Sequence, residues 1–399
     1  MSEARSAARG RARIRITAPG ELDETEIKAW RALRSMSGSP ASPFMEPEFA
    51  CAVGRVRPMA RVAVIRQSGD GYGDGGAYGN GYGGGDGNGY DGGDGQGYGE
   101  PVGFFPYETG PLGQGRAIGS GVSDAQGAVC RAGLGLSAPE LLKACSLSAW
   151  EFDNLEAGQE LFVPSAAEEF ESPVIDVREG YEAYAAGLRT RSPKFFRTTA
   201  AKERRLGRQT GEVRFVFDER DPAALRTLME WKSAQYRRTG RRDRFAKEWI
   251  STLVRQLAET RTPGCSGVLS VLYAAERPVA AHFGLRSRTV LACWFPAYDT
   301  EFAKYSPGLI LHLRMAEAAA EAGIGLLDLG RGAAEYKDAL KTGGLRVYEG
   351  SVARPGARAA LHWLSREPSR RAHSFVRNRP RLAGYAQRTL NRVGRLRAK

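Results

Sequence analysis

Histidine is scarce in this chain and its cysteines are unpaired by spacing. Four histidines are spread over 399 residues, and the five cysteines (Cys51, Cys130, Cys145, Cys265, Cys293) include no Cys-x-x-Cys pair and no histidine at metal-ligand distance. The pattern argues against a structural zinc site, any other metal site and a disulfide scaffold, and it fits a reducing compartment. No Ser/His/Asp or Cys/His arrangement is visible, which speaks against a covalent nucleophile. Long apolar runs are missing too: nothing approaches the roughly 18 residues of a membrane-spanning helix. The first thirteen residues carry Ala, Arg and Ser around no apolar core, so no secretory signal is expected. The expected location is cytoplasmic, or peripheral at the inner face of a membrane.

What is present is enough apolar residue (42%) for real cores and 26% charge, the balance of a soluble globular chain of about two domains. The net charge of +13 suggests a nucleic-acid binder until its location is considered. From Arg354 to Lys399 there are 13 Lys and Arg against the single acid Glu367, so the excess sits in the tail and the body is near neutral. Leu382, Ala386, Leu390, Val393 and Leu396 recur there at helical spacing, with Arg388, Arg392 and Arg395 on another face. That pattern reads equally as a basic amphipathic helix on anionic lipid or a disordered solubilising tail, and no aromatic platform accompanies it for RNA.

Residues 69–99 hold 17 glycines among 31 residues, mixed with Tyr and Asp. Such a stretch cannot bury enough apolar surface to offset its ordering entropy. Flanked by the strand-like runs Arg61–Gln67 and Pro101–Tyr107, it reads as an insertion at a hairpin tip. No helix with Lys-Ser/Thr follows it, so it is not a phosphate-cradling loop. A contact or condensation role and an inert linker both fit. The organisation expected is a basic N-terminus (1–12), a first α/β unit (13–165), a second (170–355) and the tail (356–399).

The second unit carries the argument. Thr289–Tyr298 has a buried-strand pattern; Ser306 and Pro307 then open a helix over Leu309–Ala322, closed by Gly323, and the apolar strand Ile324–Leu329 follows. This is a βαβ unit with a parallel pair. The first turn of its helix offers unpaired N–H groups and the positive end of the helix dipole. Gly308 lets a phosphate approach the backbone, with Lys304 nearby; the alternative is that Ser306-Pro307-Gly308 is only a well-made N-cap.

The runs Trp294-Phe-Pro-Ala-Tyr298-Asp299, Phe302-Ala-Lys304-Tyr-Ser306-Pro307-Gly308 and Leu327-Asp328-Leu-Gly330-Arg331-Gly332, followed by Glu335-Tyr336-Lys337, resemble the CelD-type acetyltransferase-like family, associated with cellulose and exopolysaccharide biosynthesis and allied to the FemAB transferases. The likeness is dense from Pro173 to Gly350 and looser in the first half, at Phe105-Pro106 and the Ser123-Asp124 loop. It implies an α/β fold with a mixed sheet, built as two tandem GNAT-like acyltransferase domains, the second with the better-kept site. It also implies that acyl-CoA pyrophosphate binds at Lys304, Ser306, Pro307, Gly308 and Leu309, although the usual Q/R-x-x-G-x-G/A loop is absent. FemAB relatives use aminoacyl-tRNA in place of CoA.

Acyl transfer needs a deprotonated nucleophile, a polarised carbonyl and a proton for the leaving group. Asp328, at a strand end beside the donor helix, is the candidate for activating the acceptor; a loop-capping carboxylate is the plainer role. Tyr298 is the candidate acid for the leaving thiolate, against simple packing. Arg331 reads as a phosphate or carboxylate clamp, or as the partner of Asp328 or Glu335; Glu335, Tyr336 and Lys337 read as lining the acceptor cleft. His282 reads as a core histidine, and His312 suits packing or function. The basic stretch Arg189–Arg208 reads as a solvated helix face or a lure for a phosphorylated acceptor. The expected activity is an acetyl- or acyl-CoA-dependent N-acyltransferase acting on an amine or hydroxyl of a small molecule or cell-envelope precursor. The alternatives are an aminoacyl-tRNA-dependent transferase, with tRNA as partner, and a non-catalytic accessory protein of exopolysaccharide synthesis.

Overall fold

The computed structural model describes residues 12–36, 40–67, 99–332 and 334–356. The N-terminus, the glycine-rich insertion up to residue 98 and the basic tail from 357 onward fall outside the described residues, together with the expectations made for them.

The first half of the chain runs β1 (Ala12–Thr17), α1 (Glu24–Met36), α2 (Pro47–Val56), β2 (Ala60–Gln67), β3 (Pro101–Thr109), β4 (Gln114–Ala117), β5 (Val129–Cys130), α3 (Ala138–Ala144), β6 (Ala149–Glu156) and β7 (Ala166–Asp176). The second adds α4 (Tyr181–Arg191), α5 (Pro193–Thr210), β8 (Val213–Val216), α6 (Pro222–Arg238), α7 (Glu248–Glu259) and β9 (Ser266–Ala274). It continues with β10 (Arg277–Arg286), β11 (Val290–Tyr298), α8 (Pro307–Glu321), β12 (Leu326–Asp328), α9 (Glu335–Leu340) and β13 (Gly343–Ala353). Local chemistry sets several of these boundaries. Asp221 accepts from the Ala223 N–H at 2.8 Å and Pro222 opens α6, satisfying an amide that the helix itself cannot. In α7, Ile250, Leu253, Val254 and Leu257 are buried at helical spacing, giving the one-sided stripe that docks on the sheet.

The strands form one mixed α/β sheet in the order β1-β2-β3-β4-β6-β13-β7-β12-β11-β10-β9-β8, with β5 pairing off this path to β3. From either edge inward the pattern repeats: antiparallel strands, then a parallel pair, β4 with β6 in one half and β11 with β12 in the other. The glycine-rich insertion joins β2 to β3, which are antiparallel neighbours. At the centre the halves exchange strands. β7 follows β6 in sequence yet pairs with β12 and β13, while β13 ends the second half yet pairs with β6. Neither half closes its sheet without the other.

One hydrophobic core is shared: Trp30, Phe49 and Phe104 from the first half pack with Leu228, Leu253, Phe283 and Trp294 from the second. The opposite face of the second half packs against α4, α5 and α8, and that of the first half against α3. The shared core brings loops of the first half over the parallel pair of the second.

Candidate active site between the two halves

β11 and β12 are in register only from Val290–Ala292 to Leu326–Asp328. Beyond that they part. β11 continues to Tyr298, while the chain after Asp328 turns away and Leu329 N–H donates to Pro173 O of β7 at 2.9 Å. A 3-10 turn, Thr300–Tyr305, then delivers the chain to the start of α8 beside this opening.

The helix start differs from the N-cap read in the sequence. Ser306 sits in the left-handed region (φ 53°, ψ 52°), and its hydroxyl makes no bond to the helix. Its Oγ instead accepts from Lys202 Nζ of α5 at 2.8 Å. Leu309 and Ile310 reach back to Ser306 O, and Pro307 has no N–H, so Gly308 N–H is left without an acceptor among the described residues. A Cβ built on Gly308 would meet only Tyr298 Cδ1, at 3.7 Å. The N-terminus of α8 is therefore an open positive dipole end with a lysine ammonium beside it, the donor set that suits a phosphate. Tyr298 flanks it. Pro307 is buried, Leu309 half-buried, and Lys304 is exposed with its ammonium 4.9 Å from the centre of the Tyr305 ring.

Across the opening lies a buried charged cluster. Asp328 accepts from Ser172 Oγ at 2.5 Å and from Gly330 N–H at 2.9 Å, so its carboxylate caps the 328–330 turn. Lys337 Nζ donates to Gly330 O at 2.7 Å. Onto the same turn comes Asp124 of the first half, whose Oδ2 would lie 3.5 Å from a Cβ on Gly330. Its loop is fixed by the Trp294 indole N–H, which donates to Val122 O at 2.7 Å, and by Glu108, which accepts from Gly119 N–H at 2.9 Å. Burial and the Asp328 carboxylate push the Asp124 carboxyl up to about 7, against the pull of Arg244. Burial draws Lys337 below the usual ammonium range, while Asp124 and Asp328 resist. Lys232 of α6 donates to Pro296 O at 2.8 Å, and burial with Arg241 and Arg244 nearby draws it down to about 8.

The two buried histidines hold defined tautomers. His312 Nδ1 lies 2.6 Å from Gly308 O, which can only accept, so Nδ1 carries the proton and Nε2 the lone pair. His282 Nε2 accepts from Trp294 N–H at 3.1 Å, where a bulge between β10 and β11 leaves that amide without a strand partner. Burial keeps both below the ordinary histidine value.

Tyr298, Ser306 and Gly308 thus meet at the start of α8, Asp328 and Lys337 both hold the 328–330 turn, and the Tyr336 ring lies 5.2 Å from His312. Arg331 is committed elsewhere: it pairs with Glu349 at 2.6 Å, donates to Asp153 O and stacks 3.5 Å over Phe170, bonded to neither Asp328 nor Glu335. Glu335 is exposed at the start of α9. Asp124 and Lys202 were not singled out from the sequence. The Ser123-Asp124 loop gave a signal for the first; the second lies within the basic stretch Arg189–Arg208, but nothing local ties it to Ser306, 104 residues away. Among the described residues no His, Cys, Asp and Glu group could hold a metal ion.

The start of α8 is thus exposed beside a parting parallel pair, with a buried acid and lysine on the neighbouring turn. Residues 194–338 match the family model described as an acetyltransferase (GNAT) domain. The fold over both halves is that of the crystal structure of FemX: TM-score 0.55, 11% identity, covering 85% of this chain and 98% of that one. Fainter likenesses extend to a tandem GNAT protein from the clavulanic acid biosynthesis pathway (TM-score 0.44, 12% identity, covering 87% and 100%). Another is the C-terminal domain of a putative lysylphosphatidylglycerol synthetase from Agrobacterium fabrum (TM-score 0.42, 14% identity, covering 66% and 84%). No curated protein matches the chain.

Proposed function

We propose that the chain is an N-acyltransferase that takes its acyl group from acyl-CoA and passes it to an amine, of a small molecule or a cell-envelope precursor, held in the cleft between the halves. One observation carries the reading: the uncapped start of α8, with Gly308 N–H and Lys202, lies beside the opening of β11 and β12, across which Asp124 and Lys337 converge. The donor's phosphates sit on Gly308 N–H and Lys202, with Lys304 at the rim, and its acyl end enters the opening. Asp124, raised to about 7, takes the proton of the acceptor's ammonium, the match of acid strength to working pH that general bases need. The freed nitrogen attacks the acyl carbonyl; the C–N bond forms, the C–S bond breaks, and Tyr298 beside Gly308 protonates the departing thiolate. The second proton shed by the nitrogen as the amide forms passes through solvent to restore Tyr298. Lys337 places positive charge at the reacting carbonyl. Asp328, held by Ser172 and Gly330, fixes the turn that carries Lys337's acceptor and so acts as a positioning residue.

Calorimetric titration of acetyl-CoA into the protein and its Gly308→Trp variant tests this. Micromolar binding that the variant loses supports the reading. Absence of binding to the unaltered protein removes acyl-CoA and leaves aminoacyl-tRNA as the donor to try.

A further inference from the structure

The helix that supplies Lys202 has an outer face that the acyl-transfer reading does not use. α5 carries Lys194, Arg197, Arg204, Arg205 and Arg208, all exposed. At 3.6 residues per turn these five cations fall within an arc of about 100° and along about 21 Å of helix. Leu206 and Thr199 are buried on the opposite side, and Lys202 points between the two faces to Ser306. The helix's one acid, Glu203, lies far from the arc and pairs with Arg314 at 2.8 Å. None of the five makes an ion pair with the described residues.

Five like charges in one line repel one another and destabilise the free helix. A helix tolerates that arrangement without benefit only if nothing opposes it, yet acids at i+4 would relieve it and none is present on the arc. A band of cations along one exposed helix face matches a plane of negative charge. The stacking platform of a single-stranded RNA site is missing here: no exposed aromatic accompanies the row, and Phe195 and Phe196 are half-buried in the core beneath it. We infer that the outer face of α5 docks the protein on an anionic lipid surface, setting the donor opening at Ser306–Gly308 beside the membrane plane.

Each basic residue held near an anionic bilayer contributes about fivefold to partitioning. Replacing Lys194, Arg197, Arg204, Arg205 and Arg208 by Gln is therefore expected to lower full-chain partitioning onto phosphatidylglycerol/phosphatidylcholine vesicles by about a hundredfold or more. Binding of the unaltered chain should weaken as salt shortens the screening length, and fall away on pure phosphatidylcholine. Arg388, Arg392 and Arg395 of the tail are replaced in a parallel variant. If that variant loses vesicle binding while the α5 variant keeps it, the α5 proposal is overturned and the tail is the anchor. If the α5 variant keeps vesicle binding but loses tRNA binding, the face serves RNA and the proposal also fails. Unaltered acetyl-CoA titration in the α5 variant would separate this surface from the donor site, since Lys202 is left in place.

Discussion

The two parallel crossovers of the sheet start from the same topology and end differently. Between β11 and β12 the chain makes a 15-residue helix whose first turn is uncapped. Between β4 and β6 it makes an irregular loop, the two-residue β5 and the seven-residue α3. That shorter helix begins with a closed capping box: Ser137 Oγ accepts from Glu140 N–H at 3.4 Å, and Glu140 returns the bond to Ser137 N–H at 2.9 Å. Its dipole end already holds a carboxylate. The splay is also filled, because Gln126 Oε1 accepts from the N–H groups of Asp153 and Asn154 at 2.9 and 3.1 Å. The two parallel crossovers therefore leave one helix start open and one capped. The plugged half contributes in another way: its loop carries Asp124 to the open site.

The largest effect that can break this division of labour is on Asp124. Asp124→Asn is expected to lower kcat by about 10²–10⁴-fold, the usual contribution of a general base. In the unaltered protein the rate should climb with pH through about 7 as the carboxyl ionises, and in the variant that limb should flatten. A variant with an unchanged pH profile would return the first half to a purely structural role. The next effect concerns Lys202. Lys202→Ala removes a charge-assisted bond at the helix start, and acetyl-CoA affinity should fall about tenfold or more with kcat less affected. Titration calorimetry beside steady-state kinetics reads the difference.

A stability effect of opposite sign follows from the same carboxyl. Asp124 has a folded value of about 7, above the ordinary 3.8, so the folded state holds its proton more tightly than the unfolded one. The cost of ionising it is absent below about pH 4, grows between there and pH 7, and stays constant above. Asp124→Asn should therefore stabilise the fold at pH 8 by on the order of 1–3 kcal/mol, and by nothing at pH 3.5. Urea unfolding at the two pH values checks the sign. A variant that loses activity while gaining stability separates a working acid from a packing one.

Much of the second half could be read from residue patterns, because β11, α8 and β12 differ in apolar period and are punctuated by Pro307 and Gly323. Asp328 and Lys337 could be placed near the site for the same reason. The strand exchange could not: β13 is not among the strands read from the residue pattern, and apolar alternation does not name a strand's partner. Nor could Ser306 be read correctly. Ser-Pro spells a helix cap, and only the ammonium of Lys202, arriving from a different helix, draws the hydroxyl away from it. Asp124 was visible as part of a loop, and its place beside Gly330 comes with Trp294, whose indole ties that loop across the halves.

The smallest expected effect sharpens the comparison most directly, since it sets the two serines against each other. Both stand immediately before a helix, and from residue type alone both should stabilise it by about 1 kcal/mol. Ser137→Ala removes a capping box and should cost about that amount. Ser306→Ala removes no bond to α8 and should leave stability within about 0.5 kcal/mol. It does free Lys202 from its hydroxyl partner, so acetyl-CoA affinity should move while the unfolding midpoint does not. Equal stability losses in the two variants would mean that Ser306 caps α8 in solution, which would close the amide face on which the donor site rests.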